Sequence, residues 1–172
     1  MMSTTICFDF GNTRLKAAIF KGNQLEKLEL LENGDPSSIQ KLLDQYQPSK
    51  TLLSSVIYHD KAIESLLTEY GPFHLLGPQT KLNFTTPVGK PETIGADRLG
   101  LIAAAVDLYP NQHNLVISLG SCITYNFVNN RGQFLGGSIS PGMQMRFKSM
   151  NDLTALLPLI DPAPSFGLVG YD

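Results

Sequence analysis

The chain contains one strand-and-helix pattern twice, and this repeat restricts the folds open to it. In each copy, three short apolar runs are separated by turns and followed by a helical segment. The runs and turn residues predict strands at 4–10, 15–21 and 25–30, and again at 115–119, 123–129 and 133–139. Internal similarity of this kind indicates a duplicated βββα unit. The sequence therefore predicts an α/β protein built from two related lobes.

The two copies superpose when the first is shifted by 109 residues, which puts Gly11 on Gly120. The other positions that then correspond are Asp9 with Ser118, Asn12 with Ser121, Thr13 with Cys122 and Gln24 with Gln133. In both copies the first turn is polar and carries a glycine. Two such turns facing each other across a cleft would direct backbone N–H groups and hydroxyls into it, which suits phosphate oxygens.

The segment after the first three strands predicts two helices and two more strands. Asp35 is a candidate N-cap with Pro36 in the first helical position, and Asp60 is a candidate cap for a second helix. Between them, 51–58 is predicted to be a buried strand, and 73–76 a short one.

A long loop and two more helices complete the predicted order. Residues 77–93 contain three prolines, and loops of this length in compact domains are more often functional than decorative. A helix is predicted to begin near Gly95 and another near Gly142. The domain division predicted from this order is 1–110 for the first lobe and 111–172 for the start of the second.

Composition excludes several classes of protein. The net charge is −2 and no basic stripe is present, so no nucleic-acid partner is expected. No apolar stretch approaches the roughly 20 residues that cross a bilayer, and no signal peptide is recognisable, which predicts a cytoplasmic protein without a membrane partner. Cys7 and Cys122 are predicted to be buried thiols in a reducing compartment. The three histidines have no metal-ligand spacing.

The first chemical motif is the run DFGNTRLK at residues 9–16. An acid at the end of an apolar strand is costly without a partner, and Mg²⁺ with its waters is one such partner for Asp9. Asn12, Thr13 and Lys16 offer donors to phosphate oxygens. An ordinary hairpin, in which Asp and Asn side chains hold the turn, explains the same residues and stays open at this point.

The second motif is GADR at residues 95–98, at the predicted start of a helix. Asp97 is placed to accept a proton from a substrate hydroxyl, and Arg98 to hold an anionic group bidentately. The alternative is a first-turn acid that favours the helix dipole, beside an exposed arginine.

Two further motifs fall in the second copy. SLGSCIT at 118–124 forms its first turn, and GGSISPG at 136–142 concentrates glycine and proline. The second of these demands special backbone geometry, either for a tight turn or for close approach to a ligand.

Together, in this order, the four motifs resemble those of type III pantothenate kinases. DFGNTRLK resembles the family's DxGNT phosphate loop, GADR its substrate motif, SLGSCIT its DxGTxxT loop and GGSISPG its GGxIxPG segment. The resemblance covers nearly the whole chain. It implies an acetate-and-sugar-kinase/Hsc70/actin-type fold with ribonuclease H-like lobes, and ATP-dependent phosphorylation of pantothenate in coenzyme A synthesis. It also implies Mg²⁺, a monovalent cation (K⁺ or NH₄⁺) and a homodimer.

The resemblance also implies roles for individual residues. Pantothenate would be held by Gly95, Ala96, Asp97 and Arg98, with Asp97 as the base and Arg98 on the carboxylate. The ATP phosphates would be lined by Asp9, Phe10, Gly11, Asn12, Thr13, Arg14, Leu15, Lys16 and Ser121, with Asp9 reaching Mg²⁺ through water.

The chain departs from the family pattern at three places. Ser118 stands where the family has the aspartate that binds the monovalent cation. Val88 stands where an aromatic substrate contact is common, and Phe84 is the candidate replacement. The chain stops at Asp172, in the tail LVGYD, whereas family members continue and complete the second lobe.

These departures keep two alternatives beside an active pantothenate kinase. One is a catalytically impaired or regulatory relative, which Ser118 and the chain's end favour. The other is a kinase of a different small anionic substrate, since a fold alone does not fix the substrate.

Overall fold

The first lobe is a five-stranded mixed sheet with two helices on one face. The computed structural model describes residues 3–161. The elements of this lobe are β1 (Thr4–Phe10), β2 (Leu15–Lys21), β3 (Gln24–Leu31), α1 (Pro36–Tyr46), β4 (Lys50–Ser55), α2 (Lys61–Tyr70) and β5 (Phe73–Leu75). The strand order is β3-β2-β1-β4-β5, antiparallel from β3 to β1 and parallel from β1 to β5. This is the order of a ribonuclease H-like lobe, so the predicted fold class is confirmed.

The core of the first lobe follows from strand alternation. Ile6, Phe8 and Phe10 alternate along β1 and are almost completely buried. Because α1 and α2 are amphipathic, their apolar faces pack onto this side of the sheet. Both predicted caps are confirmed: Asp35 accepts a hydrogen bond from the Ser38 backbone N–H at 2.8 Å, and Asp60 accepts one from a backbone N–H in the first turn of α2.

The predicted length of β4 is wrong at its carboxyl end. The strand stops at Ser55, and Tyr58 is fully exposed. The strand stops there because its neighbour β1 ends at Phe10, which is paired with Ser55. Beyond this pair, only the hydrogen bond from Val56 N to Phe10 O joins the two segments. A strand without a partner has unsatisfied backbone groups, so the chain turns away.

A long connection and helix α3 (Ala96–Leu108) follow. Residues 77–93 contain one short 3₁₀ turn, Pro91–Thr93, and Thr85 forms an isolated bridge with Gln133. Helix α3 begins beside β4 and packs on both sheets, because Leu99 and Ile102 belong to a second apolar core that Val128 and Phe134 complete.

The second sheet repeats the first meander. Its strands are β6 (Asn114–Leu119), β7 (Cys122–Val128) and β8 (Phe134–Pro141), in the order β6-β7-β8, and α4 (Met143–Asp152) follows. The predicted duplication of three antiparallel strands and a helix is therefore confirmed. The division at 110/111 stays a prediction, and the tail LVGYD lies outside the described residues.

The proposed alignment of Thr13 with Cys122 is wrong. Gly11 N bonds to Arg14 O in the first turn, whereas Gly120 N bonds to Cys122 O in the second. The second turn is thus one residue shorter, and Cys122 occupies the place of Arg14. Neither cysteine is in a disulfide, and both are half-buried rather than buried as predicted.

None of the helices within residues 3–161 has the length and apolarity needed to cross a membrane.

Candidate active site at the two hairpin turns and the start of α3

The first hairpin turn presents polar groups beyond the ends of β1 and β2. Asn12 and Thr13 are exposed at its tip, and the bond from Gly11 N to Arg14 O, 3.1 Å long, closes it. Just below the tip, Asp9 and Lys16 are directly paired across the strands, with 3.4 Å between Lys16 Nζ and Asp9 Oδ2. Both side chains are partly exposed, so the ion pair itself contributes little stability and stays open to a ligand.

The second turn faces the first, as predicted, but the two tips are in direct contact and are not separated by a cleft. Ser121 at its tip forms a hydrogen bond between its hydroxyl and that of Thr13. Helix α4 begins directly behind it, since Gly142 N donates to Ser121 O at 3.0 Å. Two polar turns and a helix N-terminus therefore converge, and together these groups favour an anion.

The GADR motif is at the start of α3, as predicted. Gly95 is the N-cap residue and makes no side-chain cap, while Asp97 is in the first turn. A Cβ built on Gly95 would lie 2.6 Å from Asp97 Oδ1, so the carboxylate folds back over a position that only glycine leaves free. Within residues 3–161, the Asp97 carboxylate has no hydrogen-bond partner or ion pair, and it is therefore available to a substrate.

Arg98 turns toward the second sheet. Its Nε donates a 2.7 Å hydrogen bond to Asn126 Oδ1, and its guanidinium lies 5.8 Å from the centre of the Phe134 ring. No carboxylate of the described residues is within ion-pair distance of it. The structure thus connects GADR to the strands that carry SLGSCIT and GGSISPG.

The side chains of two residues in the predicted ATP segment are directed away from the turn. Phe10 is completely buried in the first core, and Leu15 packs against the same cluster. Only their backbone groups are available near a phosphate. Phe84 packs edge-on against Phe134 with 6.4 Å between ring centres, and Val88 packs on the same core.

Several residues next to the motifs were not predicted. Ser54 is paired in register with Asp9 and therefore lies on the same face of the sheet; its hydroxyl is buried and has no partner among the described residues. Asn126 is completely buried on β7. The sequence does indicate that Asn126 is unusual, because it is a polar residue at an inward position of an alternating strand. Its partner Arg98 is 28 residues away, however, so no local pattern predicts the contact.

Behind the first turn, a hydrogen-bonded chain braces the end of β4. His59 Nδ1 is 3.0 Å from Ser55 Oγ, and His59 Nε2 is 2.9 Å from Glu64 Oε1. The hydrogen bond from Lys61, more than the one from His59, lowers the pKa of Glu64. The His59 ring packs edge-on against Phe10, which links this chain to the residue before the turn.

A mixed sheet of this strand order, followed by a second βββ meander whose turn meets the first, is the arrangement of the actin-like fold class. Two solved structures share part of this arrangement. A Bacteroides thetaiotaomicron protein with an actin-like ATPase fold and unknown function has a TM-score of 0.46 and 10% identity, covering 88% of this chain and 76% of that one. An Aquifex aeolicus Ppx/GppA phosphatase has a TM-score of 0.42 and 14% identity, covering 87% and 55%.

Sequence comparisons identify the family. The family model of type III pantothenate kinases matches residues 5–170. The type III pantothenate kinase of Christiangramia forsetii is 38% identical over 96% of this chain and 69% of its own length. Those of Porphyromonas gingivalis strain W83 and Bacteroides fragilis strain YCH46 are 35% and 34% identical, over 66% and 64% of their lengths. The chain belongs to the type III pantothenate kinase family and spans about two thirds of these relatives' length.

Proposed function

We propose that this chain transfers the γ-phosphoryl group of ATP to pantothenate and forms 4′-phosphopantothenate, the first step of coenzyme A synthesis. The observation that carries the proposal is the junction of the two hairpin turns at Thr13 and Ser121, on a chain whose α3 begins with GADR. Phosphoryl transfer depends mainly on positioning and on stabilising charge, and both turns supply donors for that purpose.

The ATP phosphates would lie over the junction of the two turns, where Thr13 and Ser121 are in contact. Asn12, Thr13, Lys16 and Ser121 offer side-chain donors, and Gly11 and Arg14 complete the loop. Phe10 and Leu15 would contribute backbone groups only, because their side chains are in the core.

The carboxylate of Asp9 fits a Mg²⁺ ion held through water. It is 44% exposed at the mouth of the turn and has one lysine partner at 3.4 Å. Mg²⁺ is commonly held by one or two carboxylates, substrate phosphates and water, so a single partly exposed aspartate beside the phosphates is sufficient. When bound, Mg²⁺ would neutralise phosphate charge.

The monovalent cation would lie at the end of β6, where Ser118 is paired with Thr124. A serine hydroxyl offers a neutral oxygen where the family offers a carboxylate. We therefore propose that K⁺ or NH₄⁺ binds this chain more weakly than it binds relatives that carry the aspartate.

Pantothenate would lie over the first turn of α3. Asp97 would accept the proton of the primary hydroxyl as its oxygen attacks the γ-phosphorus, and ADP would leave. Arg98 would bind the substrate carboxylate with the terminal nitrogens that Asn126 leaves free, and Gly95 and Ala96 would contact the substrate through their backbone.

Of the remaining assignments, the homodimer rests on family membership, and the others rest on composition and the order of the elements. We propose a cytoplasmic homodimer without nucleic-acid or membrane partners, and a first lobe that ends near residue 110, between α3 and β6. Ser118 favours one alternative, a catalytically impaired or regulatory member, because it removes a charge from the second loop.

The proposal is tested by pantothenate-dependent ADP release with ATP, Mg²⁺ and K⁺. Asp97→Asn should lower the rate by about 10²–10⁴-fold, the usual contribution of a general base. Asp107→Asn is the matched control, since Asp107 is exposed on the same helix. Equal rates for the two variants would refute the assignment of the base, and release with another small acid but not with pantothenate would favour a different kinase.

A further inference from the structure

Asn126 is a completely buried polar residue in the middle of β7. It faces α3, next to the apolar side chains Val128 and Phe134 of the second core. A buried amide costs free energy unless its groups are hydrogen-bonded, so its partners indicate why the position is polar.

The two ends of the Asn126 amide have different partners. Its Oδ1 accepts the 2.7 Å hydrogen bond from Arg98 Nε, and its Nδ2 is 3.3 Å from Thr124 Oγ1 and 3.4 Å from Val116 O. If the Asn126 amide were flipped, its NH₂ group would face the Nε–H of Arg98, and two donors would oppose each other because guanidinium nitrogens only donate. The contacts on Nδ2 therefore keep the oxygen pointed at Arg98.

Two other residues complete a slot for the guanidinium. The Phe134 ring lies 5.8 Å from Arg98 Cζ. Gly137 is paired with Asn126 on the neighbouring strand, and a Cβ there would lie 3.0 Å from Arg98 Nη2 and would overlap Tyr125 O. The slot thus fixes Arg98 from the side of the second sheet.

None of these contacts neutralises Arg98. The amide and the ring are uncharged, and no described carboxylate is within ion-pair distance, so the terminal nitrogens keep their charge and their donors for an external anion. Two terminal nitrogens in a fixed plane match a carboxylate bidentately.

We propose that Asn126 is a positioning residue, which orients Arg98 so that its terminal nitrogens meet the carboxylate of the substrate. This inference rests on the proposed function, in which Arg98 binds that carboxylate. The specificity for an acid over its neutral analogue therefore depends on a residue that does not touch the substrate.

The test compares Asn126→Ala with the parent chain in the binding of pantothenate and of its neutral alcohol analogue, which lacks the carboxylate. Loss of one hydrogen bond to a charged group should weaken pantothenate binding about tenfold or more and leave binding of the alcohol nearly unchanged. Asn126→Asp keeps an oxygen acceptor, so its affinity for pantothenate should lie between those of the parent and Asn126→Ala. Asn130→Ala, in the exposed turn after β7, is the matched control and should behave like the parent.

A second readout does not need the substrate. In ¹H–¹⁵N NMR spectra, the Nε–H signal assigned to Arg98 by its loss in Arg98→Lys should be protected from exchange in the parent and in Asn126→Asp. It should lose protection in Asn126→Ala. Unchanged protection in Asn126→Ala would overturn the inference, as would equal weakening of pantothenate and alcohol binding. If the parent binds neither compound while the NMR result holds, the proposed function fails and the positioning of Arg98 stands.

Discussion

Replacement of Gly142 by alanine should displace the second hairpin turn. Gly142 has a φ of −69°, which any residue can adopt, so the substitution acts only through the added methyl group. That Cβ would lie 2.5 Å from Ser121 O and closer still to Gly120 O, whereas Cβ atoms essentially never come within 3.0 Å of a heavy atom outside their own and the adjacent residues. The turn that carries Ser121 must therefore move by at least half an ångström, and the 3.0 Å bond from Gly142 N to Ser121 O must stretch.

The expected magnitudes follow from this overlap. Overpacking costs about 1–3 kcal/mol, and a weakened backbone hydrogen bond adds about 1 kcal/mol, so the free energy of unfolding should fall by roughly 2–4 kcal/mol. A displacement approaching 1 Å at a phosphate-binding turn should lower the rate of phosphoryl transfer about 10²-fold.

Urea denaturation and ADP-release kinetics measure the two effects. Gly89→Ala is the matched control, because a Cβ on Gly89 meets no atom within 4 Å. If Gly142→Ala matches Gly89→Ala in unfolding midpoint and in the rate of ADP release, the second turn does not depend on its packing against the start of α4, and the predicted displacement is refuted.

Three further predictions follow from single side chains. Thr51→Val should raise the free energy of unfolding by about 1 kcal/mol in urea denaturation, because the Thr51 hydroxyl is buried without a partner within the described residues; a lower midpoint would contradict this. The pKa of Asp35 is lowered below its usual 3.8, mainly by the hydrogen bond from the Ser38 backbone N–H. The stabilising effect of the Asp35 carboxylate is therefore present at neutral pH and is lost as the pH falls through the pKa of the folded state. At pH 7 the parent should have a higher urea midpoint than Asp35→Asn. A difference between the two midpoints that persists in acid would be inconsistent with this. Ser118→Asp should lower the K⁺ concentration needed for half-maximal turnover, whereas the exposed charge control Ser138→Asp should not; equal K⁺ dependence in both would remove Ser118 from the cation site.

Local signals predicted most of the fold. The two meanders and the caps at Asp35 and Asp60 were predicted correctly, because alternation, turn residues and capping side chains act within a few positions of the chain. The internal repeat also predicted that the two polar turns face each other, and the contact between Thr13 and Ser121 agrees with this.

The errors came from features that depend on tertiary partners. The end of β4 is set by the length of β1, and the one-residue difference between the hairpin turns is visible only in their registers. The apolar composition of 51–58 does not reveal where β1, the partner of β4, ends. In the same way, Asn126 and Arg98 are 28 residues apart, and no local pattern joins them.

The most direct test of the central claim is detection of 4′-phosphopantothenate by mass spectrometry after incubation of this chain with pantothenate, ATP, Mg²⁺ and K⁺. We expect a product that is heavier than pantothenate by one phosphoryl group, formed in a 1:1 ratio with ADP and lost in Asp97→Asn. ADP formed without phosphorylated pantothenate, or no ADP from a chain that is demonstrably folded, would contradict it.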